Sequence, residues 1–452
     1  MSRLVIRGGE IASAGRITRA DLIIEGGAVL GTAPAGVDVP GAQTIEADGL
    51  IVLPGLVDVH CHLRDFRQAH KEDFTSGTAA AAAGGFTSVV AQPNTDPPMD
   101  SPEALDSARA TAGGRAFVDF GLAALAAPST AAVMTSLREH GALIVEVMRA
   151  DAMPDWLVRE PAALFSLLES AAAAAVPVAV CASEQGLIDL FAARARASGA
   201  SDVKAFLNAR PAVVEDAGIS VVLALARAVR SRLLVRQVTT AAAVDRLREA
   251  KAAGAPGLWA EVNPHHLVLT DSDAEALGPW GKVIPPLRGR DDIAALWTAL
   301  RDGTVDLVGT DHAPHAALER TATDFWSIPA GFPALETTLP LFATAVADGL
   351  TDFPSIARWL SEAPARFLGL YPRKGILLPG SDADVVLVDP HSEWPIVSAT
   401  LFTRAGWTPF EGRRVHGRVV MTLLRGVPVY REGSMCVDPG YGRFLYPPAA
   451  LS

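Results

Sequence analysis

Two histidines one residue apart open the chemistry of this chain. His60 and His62 stand in VLPGLVDVHCHLRD (52–65), at the end of an apolar run. On a strand, successive side chains point to opposite faces, so these two imidazoles share a face, about 7 Å apart along the chain. Two nitrogens converging at a strand end can grip one metal ion. Asp58 has the same parity and is placed to orient the ligands from behind. The same stretch also reads as two histidines that bind nothing. A second cluster favours the metal: VGTDHAPH (308–315) carries Asp311, His312 and His315. An aspartate at a strand end can serve as ligand and as general base for an activated water. Histidine and carboxylate donors suit zinc.

Something must carry these residues to one place. Across residues 55–372, short apolar runs alternate with Ala-rich amphipathic helices. The runs include TSVVAQP (87–93), FVDFGLAA (117–124), ALIVEVMR (142–149), VPVAVCA (176–182), RLLVRQVTT (232–240), LWAEVNP (258–264) and VDLVGTD (305–311). Strands of unbroken apolar character, each followed by a helix, predict a parallel sheet buried on both faces. At this length they predict an α/β fold, a (β/α)8 TIM barrel, whose chemistry sits at the C-terminal strand ends. Those ends carry His60 and His62, Asn94, Glu146, Cys181, Gln237, His265 and His266, then Asp311 and His315. Residues 1–54 and 373–452 have a different texture, with short alternating strands between glycines. They are expected to form one small β-sandwich from both chain termini, unless they are two unrelated extensions.

Composition narrows the class. The 452 residues are 50% hydrophobic and 20% charged, with a net charge of −11. That balance argues against general nucleic-acid or anionic-membrane binding. The start, MSRLVIRGGEI, lacks an apolar signal region, and stretches such as 171–182 are too short to span a bilayer. Cys61, Cys181 and Cys436 are widely spaced and odd in number, so no disulfide framework is expected and a cytoplasmic location is.

The ordered motifs resemble one family. DVHCHLRD (58–65), KEDFTSGTAAAAAGGFTSVVAQPNTDPP (71–98), AEVNPHHLVLTD (260–271), PPLR (285–288), DGTVDLVGTDHAPH (302–315) and KGILLPGSDADVVLVDP (374–390) resemble the dihydroorotase branch of the amidohydrolase superfamily, close to allantoinases and hydantoinases. The resemblance spans almost the whole chain. It implies a barrel with a β-sandwich built from both termini, a commonly dimeric or tetrameric assembly, and reversible opening of a cyclic amide by metal-activated water. It places metal ligands on His60, His62 and Asp311. It places a substrate-carboxylate clamp on Arg64, Asn94 and His315. Arginine suits that task because its planar fork donates two parallel hydrogen bonds. Arg64 also reads as a partner of Asp65, and Asn94 as a turn former before Pro97-Pro98.

Departures from the family pattern carry equal information. Where many relatives have a carboxylated lysine, in the form G-A-x-x-x-K, GALIVEVM presents Glu146. Asp151 is a weaker substitute. Where a histidine is expected in P-V-A-V-H-A-E-D, VPVAVCASEQ presents Cys181, a ligand as a thiolate or else a small buried apolar residue. Where H-V-S-T is expected, Q-V-T-T presents Gln237, a poor ligand. Ile284 replaces an asparagine common before PPLR, and Phe325 and Trp326 stand in the loop after His315, either to reshape the pocket or to pack on the rim. The expectation is one Zn2+ or other divalent ion per chain, held by His60, His62, Asp311 and, in part, Glu146 and Cys181. Asp311 would be the catalytic base, acting on a carboxylate-bearing cyclic amide or its ring-opened acid. A catalytically inactive subunit assembling with aspartate transcarbamoylase, and a metal-free ligand-binding or lyase-like protein, are the competing readings.

Overall fold

A computed structural model describes residues 3–13, 15–322 and 324–448. Eight parallel strands form where the apolar runs fall. They are β1 (Leu56–Cys61), β2 (Phe86–Ala91), β3 (Asp119–Ala126), β4 (Ala142–Met148), β5 (Val178–Cys181), β6 (Leu233–Arg236), β7 (Leu258–Val262) and β8 (Leu307–Val308). They pair in chain order from β1 to β8. Every residue of β1, β2 and β3 is buried, as a sheet lined by side chains within and covered by helices without requires. The ring closes just beyond β8. Cys61 bridges His312 in parallel, and the His62 amide donates to the His312 carbonyl at 2.7 Å. Closure therefore brings the His60–His62 segment beside Asp311, which lies about 250 positions further along the chain.

Both termini join a second sheet. Arg3–Ser13, Arg16–Glu25, Ala28–Ala33, Gln43–Glu46 and Ile51–Pro54 combine with Val385–Pro395, Arg414–Leu424, Val427–Arg431 and Ser434–Met435. Ile51–Pro54 is the seam: it runs antiparallel to Val385–Val388 and parallel to Glu10 and Ile11. All nine strands belong to one hydrogen-bonded sheet with its own core, including Ile6, Leu22, Val52, Val385, Leu387 and Leu423. One residue, Gly55, separates this seam from β1. A Cβ there would lie 2.9 Å from the Asp384 Cβ, so the crossing requires glycine.

A buried ion cluster joins the two bodies below the barrel. Lys374, 1% exposed, places its ammonium 2.7 Å from Asp119 at the start of β3, 2.6 Å from Asp384 and 3.0 Å from Asp382. Arg425 reaches the other Asp119 oxygen at 2.6 Å. The three aspartates are close enough together to hold a cation, and the lysine already supplies it. Among the described residues no helix is long and apolar enough to cross a membrane.

Candidate active site

At the C-terminal ends of the strands, His60 and His62 each bring Nε2 to 3.2 Å from the same Asp311 oxygen, Oδ1. All three side chains are buried. The opposite edge of each ring sets its tautomer. His60 Nδ1 lies 2.7 Å from Glu261 Oε1, and His62 Nδ1 lies 2.7 Å from Asn94 Oδ1. Both partners are acceptors in this geometry, so each Nδ1 carries the hydrogen and each Nε2 lone pair faces Asp311. Two lone pairs facing one carboxylate oxygen repel unless a cation or proton lies among them. Nitrogen and oxygen donors arranged tetrahedrally on zinc at about 2.0–2.1 Å lie roughly 3.3 Å apart. The observed spacing matches, so these residues fit a divalent ion.

The orienting group is not the one expected. Asp58 accepts from the His60 and Thr310 amides at 3.0 and 3.1 Å and from the Thr310 hydroxyl at 2.5 Å. It ties the β1 backbone to the segment after β8, and burial pushes it up to about 6 against those hydrogen bonds. Glu261 orients the imidazole instead. Its reach depends on Gly309, where a Cβ would lie 2.7 Å from the Glu261 carboxylate and 3.0 Å from the His60 Cβ. The signal for Glu261 was a lone carboxylate inside the apolar run LWAEV. Asp311 itself is held below the ordinary carboxylate range: burial alone would raise it, but with no cation among the three groups a proton on the facing imidazoles, His60 and then His62, outweighs burial.

Glu146, Cys181 and Gln237 line the same cavity of about 270 Å³ but stand outside the tight trio. Glu146 Oε2 lies 3.1 Å from Nη1 of Arg236. Cys181 Sγ lies 3.7 Å from Glu146 Oε1 and 3.4 Å from Gln237 Oε1. Burial, and then Glu146, raise the Cys181 thiol well above its ordinary value, so it remains S–H beside these oxygens. Gln237 turns its amide nitrogen to the site, donating to Asp311 Oδ2 at 2.8 Å and to the Ile284 carbonyl at 3.1 Å. Asp151 is engaged by Arg210, with Nε donating to Oδ2 at 3.2 Å. The sequence offered no direct sign of Arg236, which reads in RQVTT as an ordinary strand-end cation.

On the facing wall, Arg64 and His315 adjoin. Arg64 Nη2 lies 3.2 Å from His315 Nε2, and Arg64 Nε donates to the Pro314 carbonyl at 3.3 Å. Burial pulls Arg64 down to about 10, so it stays charged, and His315 down to about 3, so it stays neutral. Asn94 also lines the cavity, but its carbonyl oxygen is committed to His62. Arg64, Asp151, Gln237 and Asp311 all hold positive φ, from 46° to 56°. Such conformations cost about 1–3 kcal/mol each and gather where function constrains the backbone. Phe325 and Trp326 pack on the rim: Phe325 is buried against Phe206, and Trp326 Nε1 donates to the Ala200 carbonyl at 3.1 Å.

His265 and His266 lie behind this wall, buried and 4.3 Å apart between ring centres. Burial pulls His266 down to about 4, while its Nε2–H donates to the Pro285 carbonyl at 3.0 Å. His266 and His315 both have folded values below the unfolded value near 6.5. Between those limits the unfolded chain binds protons that the folded chain refuses, so stability rises with pH up to 6.5 and is lost below it. Each histidine contributes a slope of about 1.4 kcal/mol per pH unit. Urea unfolding between pH 6.5 and 4.5 should show this loss, and His266→Gln should flatten the slope by about one proton. An unchanged slope in that variant would refute the assignment.

Known proteins resemble this chain over nearly its whole length. The amidohydrolase family model matches residues 51–429. The chain is 30% identical over 450 residues to L-hydantoinase of Paenarthrobacter aurescens, covering 98% of each chain. It is 35% identical over 440 residues to dihydroorotase of Geobacter metallireducens, covering 95% of this chain and 100% of that one. Among solved structures, L-hydantoinase (dihydropyrimidinase) from Arthrobacter aurescens superposes with a TM-score of 0.95 at 30% identity, covering 98% of this chain and 99% of that one. D-hydantoinase from a Bacillus sp. AR9 gives 0.90 at 30% identity, covering 98% and 99%.

Proposed function

The chain belongs to the amidohydrolase family, and from that premise we propose that it hydrolyses, and in reverse closes, the C–N bond of a carboxylate-bearing cyclic amide with the help of one divalent metal ion. The observation that carries this reading is the convergence of His60 Nε2 and His62 Nε2 on Asp311 Oδ1, at 3.2 Å, in the wall of a cavity shared with Arg64 and His315. His60, His62 and Asp311 would hold the ion, with Glu261 and Asn94 fixing the tautomers that make this possible. A divalent ion bound there would polarise the amide carbonyl and acidify water.

The chain's own groups then divide the work. Arg64, charged and buried beside neutral His315, binds the substrate carboxylate and fixes the ring. Asp311 takes a proton from the attacking water and returns it to the departing ring nitrogen. Water is thereby split across the bond, hydroxyl to carbon and hydrogen to nitrogen. Gln237 holds Asp311 Oδ2 at 2.8 Å and keeps the carboxylate in plane for that transfer.

The test is metal analysis of purified protein alongside ring opening of dihydroorotate, hydantoins, allantoin and cyclic imides with zinc, cobalt or manganese. One ion per chain and turnover of at least one such ring are expected. No bound ion and no turnover on any of them would sink the reading and turn attention to a non-catalytic subunit. Arg64→Met should raise KM for a carboxylate-bearing ring by roughly 10- to 150-fold, the worth of a charged hydrogen bond, and leave a ring without a carboxylate little affected. Equal losses on both rings would remove Arg64 from the clamp.

A further inference from the structure

Arg236 ends β6 with its side chain fully buried, at 0% exposure. Nη1 reaches Glu146 Oε2 at 3.1 Å and donates to Gln92 Oε1 at 2.6 Å. Nη2 donates to the Val59 carbonyl at 2.8 Å. Nε–H has no hydrogen-bond acceptor and lies 3.8 Å from Glu261 Oε2. The guanidinium thus sits inside the barrel against β1, β4, β7 and the residue after β2, and lines the cavity together with Glu146, Cys181 and Gln237.

A buried cation of this kind needs a reason, because desolvating it costs several kcal/mol unless anions surround it. Its anions are those of the site. Asp311, Glu146 and Glu261 face this region, and Arg236 is the guanidinium that adjoins both Glu146, at 3.1 Å, and Glu261, at 3.8 Å. Three carboxylates against one guanidinium leave two negative charges, the charge one divalent ion neutralises. Asp58 and Arg64, on other sides of the site, cancel each other in this sum. The remaining ionic groups of the cavity wall are already paired, Asp151 with Arg210 and Glu215 with Arg288. A second divalent ion would leave two uncompensated positive charges in a water-poor interior.

We propose that Arg236 is the built-in cation of this site, standing in for a second metal ion by neutralising Glu146 and limiting the chain to one ion. This deepens the one-ion reading above and rests on it. Two further contacts act in the same direction. Gln237 presents N–H donors toward Asp311, where a ligand would present a lone pair, and the Cys181 thiol is directed at Glu146 and Gln237 oxygens. Arg236 is a positioning residue; it orients and neutralises Glu146 without touching substrate.

The experiment is metal stoichiometry by mass spectrometry after zinc loading and removal of free ion, with cobalt absorption spectra as a second readout. Three proteins are compared: wild type, Cys181→His/Gln237→His, and that pair combined with Arg236→Met. One ion is expected in the first two, because Arg236 still occupies the charge position, and two in the third. Two ions in either protein that retains Arg236 overturns the inference, as does a folded triple variant that still holds one. If the triple variant does not fold, the double variant decides: one ion sustains the inference and two reject it. Ring opening is assayed separately. A wild type with one ion and no turnover defeats the catalytic reading while the charge inference stands. An active wild type with two ions does the reverse, and a wild type with none defeats both.

Discussion

Asp311→Asn is expected to abolish ring opening, lowering kcat/KM by ~10³–10⁴ or more, because in the proposed mechanism one substitution removes a ligand and the proton carrier together. In the structure one carboxylate serves three partners. Oδ1 faces the Nε2 atoms of His60 and His62 at 3.2 Å, and Oδ2 accepts from Gln237 at 2.8 Å. An asparagine must aim its NH2 group at one side. Turned to Gln237, it sets donor against donor. Turned to the histidines, it donates to lone pairs that would otherwise face an ion. Either way the cation site loses its nearest negative charge. The expected result is a folded protein, by circular dichroism and melting, that retains little zinc and has rates near background. A variant keeping more than about a tenth of wild-type turnover would exclude Asp311 from both roles.

Lys374→Met is expected to destabilise the protein by roughly 3–5 kcal/mol, the range for removing one partner of a buried ion cluster. Lys374 is 1% exposed and its partners Asp119 and Asp384 are 3% and 4% exposed, so solvent cannot screen the charges left behind. Burial would raise Asp119, but Lys374 and Arg425 hold it low, so it is ionised in the folded protein. Without the lysine, carboxylates from β3 and from the terminal sheet confront each other across the seam. Urea unfolding gives the measurement. Asp384→Asn in the same chain should recover part of the loss by removing one of the opposed charges. Metal stoichiometry should stay at the wild-type value, because Asp119 lies at the start of β3, at the end of the barrel opposite the site. A loss below about 1 kcal/mol would mean that the cluster is hydrated or rearranges.

Some of the site was legible because it is local. His60 and His62 share a strand face by parity alone, and Asp311 and His315 follow an apolar run that ends in VGTDHAPH. The roles of Asn94 and Glu146 were not legible in the same way. Asn94 lies where the clamp was expected, yet its oxygen fixes the His62 tautomer. Glu146 lies where a ligand was expected, yet one of its oxygens meets a guanidinium. Sequence position establishes which end of the barrel a side chain occupies. It does not establish which of several neighbours claims its hydrogen bonds.

The sequence by itself determined the alternation of buried strands and helices, hence the barrel, and the polar residues at the strand ends, hence where chemistry gathers. Both follow from short-range rules, the two-residue period of a strand and the burial of apolar runs. Tertiary structure alone decided the electrostatics. Glu261 orients His60 from 201 positions away, and Arg236 reaches Gln92 across 144. Those pairings exist only because eight strands close into a ring, setting side chains from distant segments within hydrogen-bonding distance in an interior where an unpaired charge is costly. The pair that opens the chemistry, His60 and His62, is prescribed by its own spacing. The cation that complements it is prescribed by the fold.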